Sequence, residues 1–378
     1  MTGRERVRAA IRHEEVDRIP LGFYAVDCDT ASRVLGRKTF VRDKIRIPLA
    51  LAEGRREEVA EGLKRDSVEL YRRLDCADLI IPKEATLLPP RDYEPIAMTA
   101  ISEDRWRDAR GRIWQAVWDR NDIMCVEDPT PPVEPTEQRY EAAPAPAPPD
   151  DSVFEVLDHL IAALGEERYI ASMVSIRPMP MPLDFAGSLM LYSLHPEVIR
   201  AAGRAHVRQQ ALLDAAHMRP GSAGAFAEQD MAGSNGPHIS PAMFRELCLP
   251  PFRERVAQVK RHTEQLIYHN CGMNIPLMDM FVEAGVDCYQ SLQTTAGMEI
   301  GRLKEGWGAR MAFWGGMPVE TLIAGTPEET RKCVRTALER GAPGSGFIFG
   351  PSHSIACGTR YENFMAMLDE FDRLRDRF

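Results

Sequence analysis

The sequence predicts an α/β protein built as a single (β/α)8 TIM barrel, with a helical extension at the N-terminus and a proline-rich insertion on the surface. Three observations carry this. Short apolar runs alternate with capped helical segments, the pattern of parallel strands joined by helical crossovers. Roughly eight such units fit the length at which a (β/α)8 barrel closes, and the chain has 378 residues. No glycine-rich dinucleotide fingerprint follows an early strand, so the competing doubly wound open sheet lacks its signature.

Thr2-x-x-Glu5 is a capping box, and Val7, Ala10 and Ile11 give the helix behind it an apolar side. Asp17-Arg18-Ile19-Pro20 ends that helix and leads into a first strand from Leu21 to Ala25. Charged helical sequence over residues 43–73 precedes a second strand at Ala77-Asp78-Leu79-Ile80-Ile81-Pro82. Trp106, Trp114 and Trp118 alternate around Gly111 within residues 101–126, which predicts a β-hairpin. From Pro129 to Pro149 proline recurs densely, and proline denies hydrogen bonds to both ladders and helices. This stretch is expected to be a surface excursion within one barrel spanning residues 1–378.

Regular alternation follows. A helix over Val153–Leu164 precedes a strand at Tyr169–Val174, with helical patterns at 188–194 and 197–217. A small strand, Gly224–Ala227, is followed by a helix opened by Ser240-Pro241, a good N-cap with a first-turn proline. Leu266–Gly272 is an apolar run that ends in His269 and Cys271, with a helical pattern behind it that Gly285 closes. Strands at Val286–Tyr289, Met311–Trp314 and Gly346–Phe349 complete the set. Thr326-x-x-Glu329 and Thr359-x-x-Glu362 are capping boxes for the last two helices.

Composition narrows the function. The formal net charge is −9 and no long Lys/Arg run is present, which excludes nucleic acid and anionic membrane surfaces as partners. No stretch reaches the roughly 18 uncharged apolar residues of a spanning helix. Met1–Arg6 lacks the apolar segment of a signal peptide, and eight scattered cysteines form no framework. Reduced thiols in a cytoplasmic protein are therefore expected.

In a barrel, the residues just beyond each strand share one mouth. They are Glu228, Gln229 and Asp230 after one strand, His269 and Cys271 after the next, and then Tyr289, Gln290 and Gln293. The last strand leads to His353, with Cys357 shortly beyond. Imidazole and thiolate two residues apart can chelate a borderline-soft cation, and three protein ligands plus an open position is the catalytic arrangement for zinc. The expected ligands are His269, Cys271 and Cys357, the competing reading of Cys357 being packing against the last helix. His353 is a further ligand, a general acid or an orienting group. Asp230 holds substrate or orients His269. Glu228, Gln229, Tyr289, Gln290 and Gln293 are the expected substrate contacts, and Cys248 on a helical apolar face belongs to the core.

Several motifs carry a resemblance: Ser240-Pro241-x-x-Phe244, His269-x-Cys271-Gly272, Gly297-Met298-Glu299, Phe313-Trp314-Gly315-Gly316, Ile348–His353 and Glu362-Asn363-Phe364-x-Ala366-Met367. Together they resemble the uroporphyrinogen decarboxylase superfamily, strongest from residue 220 onward, which implies a (β/α)8 barrel. Decarboxylases of that family carry N-terminal arginines for porphyrinogen carboxylates, whereas the corresponding region here, Ile19–Cys28, contains neither an arginine nor the Gln-Ala-Gly core. The resemblance therefore points to the cobamide-dependent methyltransferase branch, whose members bind zinc through His-x-Cys and a distant Cys. His269, Cys271 and Cys357 match in order, but Pro351-Ser352-His353 stands where many members have Gly-Cys. The implied activity moves a methyl group between a corrinoid and a methyl ether, amine or thiol. A corrinoid-binding partner protein and a homodimer are the implied assemblies. The alternatives are a metal-independent decarboxylase or lyase using Asp230 and His353, and a non-catalytic corrinoid- or tetrapyrrole-binding protein.

Overall fold

Eight parallel strands pair in chain order and close on themselves: β1 (Leu21–Phe23), β2 (Ala77–Ile80), β3 (Tyr169–Met173), β4 (Gly224–Glu228), β5 (Leu266–His269), β6 (Cys288–Gln290), β7 (Ala312–Met317) and β8 (Phe347–Pro351). Leu21 of β1 lies opposite Ala77 of β2 on one side and Phe349 of β8 on the other, which shuts the barrel. The structure, a computed structural model, describes residues 1–86 and 88–378, with the side chains of Glu84 and Thr86 set aside.

Strand periodicity of two divides each strand between two cores. Leu79, Tyr169, Phe226, Ile267, Trp314 and Ile348 fill the barrel axis. Their neighbours Ile80, Ile170, Ala225, Tyr268, Phe313 and Phe349 belong to the core shared with the surrounding helices. Tyr268 shows the outward direction, with its ring 5.2 Å from Phe252 and 5.6 Å from Phe281 on two of those helices. Trp314 fills the axis so fully that a Cβ on Gly22 would lie 2.6 Å from its Nε1. The indole N–H donates to the Gly22 carbonyl at 3.3 Å.

The helix Gly3–Ile11 seals the end of the barrel where the strands begin. Its Thr2 capping box is formed as expected. Arg4 donates to the carbonyls of Gly165 and Gly221, ahead of β3 and β4. Buried Arg6 pairs with Asp17 at 2.6 Å and with Asp78 at 2.5 Å.

Between β2 and β3 the expected hairpin is larger than the tryptophan pattern predicts. It is a four-stranded antiparallel sheet, Met98–Ala100, Arg105–Asp108, Ile113–Val117 and Asp122–Glu127, with Trp106 opposite Trp114. The proline-rich stretch behind it is largely exposed, but it carries a short helix, Glu137–Glu141, capped by Thr136. Arg208 donates to Tyr140 O at 2.9 Å and Gln209 to Pro144 O at 3.2 Å, tying the segment to the helix Pro196–Ala211.

Ser240 and Thr326 cap their helices as expected. Thr359 does not. The last helix is Tyr361–Leu374, with Arg360 at the N-cap and no side-chain cap bond. The Arg360 N–H instead donates to Leu322 O, and the helix starts one residue later than the capping pattern predicts. Among the described residues, no helix is long and apolar enough to cross a membrane.

Candidate metal centre

The alternation that packs the barrel also aims the residues at its mouth. Ile267 points to the axis and Tyr268 away from it, so His269 points to the axis again. Tyr24 after β1, Glu228 at the end of β4 and Gln290 at the end of β6 stand in the same phase. Beyond His269 the chain turns sharply at Gly272, with φ +86. A Cβ there would lie 2.2 Å from Ala232 O, a geometry only glycine tolerates. The turn is pinned: Asn274 Nδ2 donates to Cys271 O at 2.7 Å, and Gly272 N–H donates to Gln293 Oε1 at 2.9 Å.

This places Cys271 Sγ 3.3 Å from His269 Nε2. His353, beyond β8, completes the group: one ligand atom from each of His269, Cys271 and His353 lies within 4.8 Å of the others. With Zn–N of about 2.0–2.1 Å and Zn–S of about 2.3 Å, two ligand atoms on one tetrahedral zinc stand about 3.3–3.8 Å apart. Two imidazoles and one thiol are also the donors that zinc prefers over oxygen-seeking magnesium or calcium. The donor types fit zinc, with His269 and Cys271 already at that spacing and His353 within 4.8 Å of both.

The expected third ligand, Cys357, is not part of this group. Past β8 the chain bridges back to the continuation of β1, through Val26 and Ile355. That bridge leads Cys357 over the start of the helix Cys28–Leu35, where its N–H donates to Asp27 Oδ2 at 3.2 Å. Burial pushes its thiol up to about 11, and the carboxylates of Asp29 and Asp27 add to this. His353 is the third member of the group instead.

Four expected substrate contacts are spoken for within the protein. Gln290 is fully buried; its Oε1 meets His269 Nδ1 and its Nε2 donates to Pro351 O at 3.4 Å. The carbonyl partner of Nε2 fixes the amide orientation. His269 therefore carries its proton on Nδ1 and turns the Nε2 lone pair toward Cys271. Tyr289 is out of phase with the mouth, buried, and donates to Asn270 O at 2.7 Å. Gln229 brackets Met179, accepting from its N–H at 3.0 Å and donating to its O at 2.6 Å. Gln293 holds the Gly272 turn. Of the expected contacts this leaves Glu228 and Asp230, whose side chains are 33% and 56% exposed.

Asp230 is the more open, its side chain 56% exposed. Its Oδ1 accepts from Cys271 N–H at 2.8 Å and lies 3.8 Å from His269 Nε2. Glu228 accepts from Tyr24 OH at 2.6 Å and pairs with Lys83. Burial alone would raise its carboxyl, but the Lys83 ammonium and the Tyr24 hydroxyl hold it below the usual value. The Tyr24 ring stacks on His269 at 4.5 Å and 11°, meets His353 edge-on at 5.2 Å, and has Lys83 Nζ 5.1 Å from its centroid.

Tyr24, Lys83 and Ser291 stand at the site and belong to none of the sequence motifs. Tyr24 was legible through its phase with Gly22; Ser291 left no sequence signal. Burial raises the Cys271 thiol to about 12, the Asp230 carboxylate adding to it. Burial likewise lowers His269, and lowers His353 to about 4 with His269 contributing. In the protein alone the thiol and both imidazoles are neutral, and a cation binds by releasing the thiol proton.

Comparison with known proteins agrees with this architecture. Residues 221–374 match the family model described as uroporphyrinogen decarboxylase (URO-D). No curated protein sequence matches the chain. Among solved structures, a methyltransferase from Methanosarcina mazei aligns over 99% of each chain with a TM-score of 0.62 and 16% identity, a likeness of fold. The family match runs from β4 through β8 to the last helix, so the half of the barrel that carries His269, Cys271 and His353 is the part similar to the uroporphyrinogen decarboxylase family.

Proposed function

We propose that the protein is a zinc-dependent methyltransferase that moves a methyl group between a small methyl ether, amine or thiol and a corrinoid, free or carried by a partner protein. The observation that carries this is the convergence of His269, Cys271 and His353 at the barrel mouth. Bound zinc supplies Lewis acidity, lowering the pKa of a substrate thiol or polarising an ether or amine leaving group. His269 and Cys271, from β5 and the turn after it, and His353, from beyond β8, would hold the cation. Gln290 fixes the His269 tautomer. Asp230 and Glu228 orient substrate from the rim, and Tyr24 walls one side and excludes water. A cytoplasmic protein, working as a homodimer, fits this chemistry.

The family match also admits a decarboxylase. That reading needs fixed cationic forks for a multiply carboxylated substrate. β1 and the residues up to Cys28 contain no arginine, and the guanidinium of Arg42 is paired with Asp27 at 3.1 Å.

One experiment separates the two. The purified protein is analysed for zinc, then incubated with cob(I)alamin and a panel of methyl ethers, amines and thioethers while the corrinoid spectrum is followed. About one zinc per chain and formation of methylcobalamin from one donor class are expected. Protein that carries no zinc and cannot be loaded with it removes the proposal. Efficient coproporphyrinogen formation from uroporphyrinogen would install the decarboxylase in its place.

A further inference from the structure

The turn that follows β6 is strained. Ser291 has φ +80, in the left-handed region that a residue with a Cβ seldom occupies. It is also almost wholly buried, at 1% exposure. Strand geometry explains what the conformation achieves. Cys288 and Gln290 point to the barrel axis and Tyr289 points outward, so an extended residue 291 would point outward as well. The left-handed turn reverses this and brings Ser291 Oγ to 3.2 Å from Cys271 Sγ. Two successive residues of one strand end thus address the two ligands of the next strand: Gln290 meets His269 Nδ1, and Ser291 meets Cys271 Sγ.

We propose that Ser291 is a positioning residue of the metal centre, held in a strained conformation so that its hydroxyl donates to the Cys271 sulfur and sets the thiolate's direction and donor strength. The inference rests on the metal-centre reading above. A hydrogen bond to the sulfur holds it in one direction for a cation, so losing the hydroxyl costs metal affinity. Strain retained at a functional position, where glycine would relieve it, is the mark of a role beyond packing.

Substitution separates the two roles because they carry opposite signs. Ser291→Gly removes the hydroxyl and suits the φ of the turn. Ser291→Ala removes the hydroxyl and keeps the strain. Wild type and both variants are compared by zinc competition against a chromophoric chelator, by the thiolate-to-cobalt charge-transfer band after loading with Co2+, and by thermal unfolding in EDTA. For Ser291→Gly we expect an unfolding temperature at or above wild type, together with zinc affinity lower by about 10–100-fold, the usual cost of losing a partner of a ligand. The charge-transfer band should move by the same amount in both variants. Unchanged affinity and an unchanged band in Ser291→Gly would reduce Ser291 to a feature of the turn. Wild-type protein that takes up neither zinc nor Co2+ would overturn the metal centre itself, and this inference with it.

Discussion

His353 and Cys357 lie four positions apart in one loop, yet only His353 reaches the centre. Removing either converging ligand beyond His269 should therefore empty it. Cys271→Ala and His353→Ala are each expected to lose more affinity than the ~10–100-fold typical of a ligand's hydrogen-bond partner. Cys357→Ser should keep the wild-type zinc content. Elemental analysis of protein purified without chelator decides between them. Zinc retained in His353→Ala and lost in Cys357→Ser would restore the cysteine as ligand. Counting soft ligands in the sequence favours Cys357, because sulfur is the better zinc donor and the loop holds both residues. What separates the two residues is a single parallel bridge, Val26 with Ile355, which redirects the chain between them. A bridge of that kind leaves no mark in the motif itself.

At the scale of the strand, the alternation was legible and would have sorted the mouth residues further than spacing did. Gly22 and Tyr24, Phe226 and Glu228, Ile267 and His269, and Cys288 and Gln290 keep one phase. Tyr289 breaks it, and the structure finds it against Asn270 rather than substrate. Phase does not reveal that Gln290 spends both ends of its amide inside the protein. Nor does it foresee Gln229 and Gln293 bracing backbone, since such bonds depend on loops whose course only the fold determines. The same alternation sets the packing of the axis, where Gly22 leaves room for Trp314. Gly22→Ala should cost about 1–3 kcal/mol, the usual range for overpacking a filled core, read as a lower denaturation midpoint with an unchanged m-value. A variant as stable as wild type would mean that Trp314 has space to move.

The closed barrel makes a prediction about the whole molecule. Residues 129–149 form the exposed proline-rich segment between β2 and β3. Limited proteolysis should cut there first, and the two pieces should remain associated because β1 pairs with β8 and β2 with β3. Fragments that separate and fold alone would show two domains. Acid stability is a second global property. His206 accepts from Arg177 N–H at 3.1 Å, and burial, with Arg255 and Arg177, lowers it from 6.5 to about 4. The folded state keeps it neutral while the unfolded chain takes up a proton. Its contribution, at most about 3 kcal/mol, is thus complete above the unfolded value and is lost as pH falls through the folded one. Unfolding at several pH values should show this slope between pH 6.5 and 4, and His206→Gln should flatten it. An equal slope in both proteins would assign the acid sensitivity elsewhere. The pairing of β1 with β8 also orders events at the ribosome. His269 and Cys271 emerge before β6, β7 and β8 exist, so the nascent chain carries two of the grouped side chains and no closed mouth. The third donor arrives with the strand that shuts the barrel. A chain that stalls in synthesis before β8 therefore has two of the three grouped side chains and no closed mouth around them.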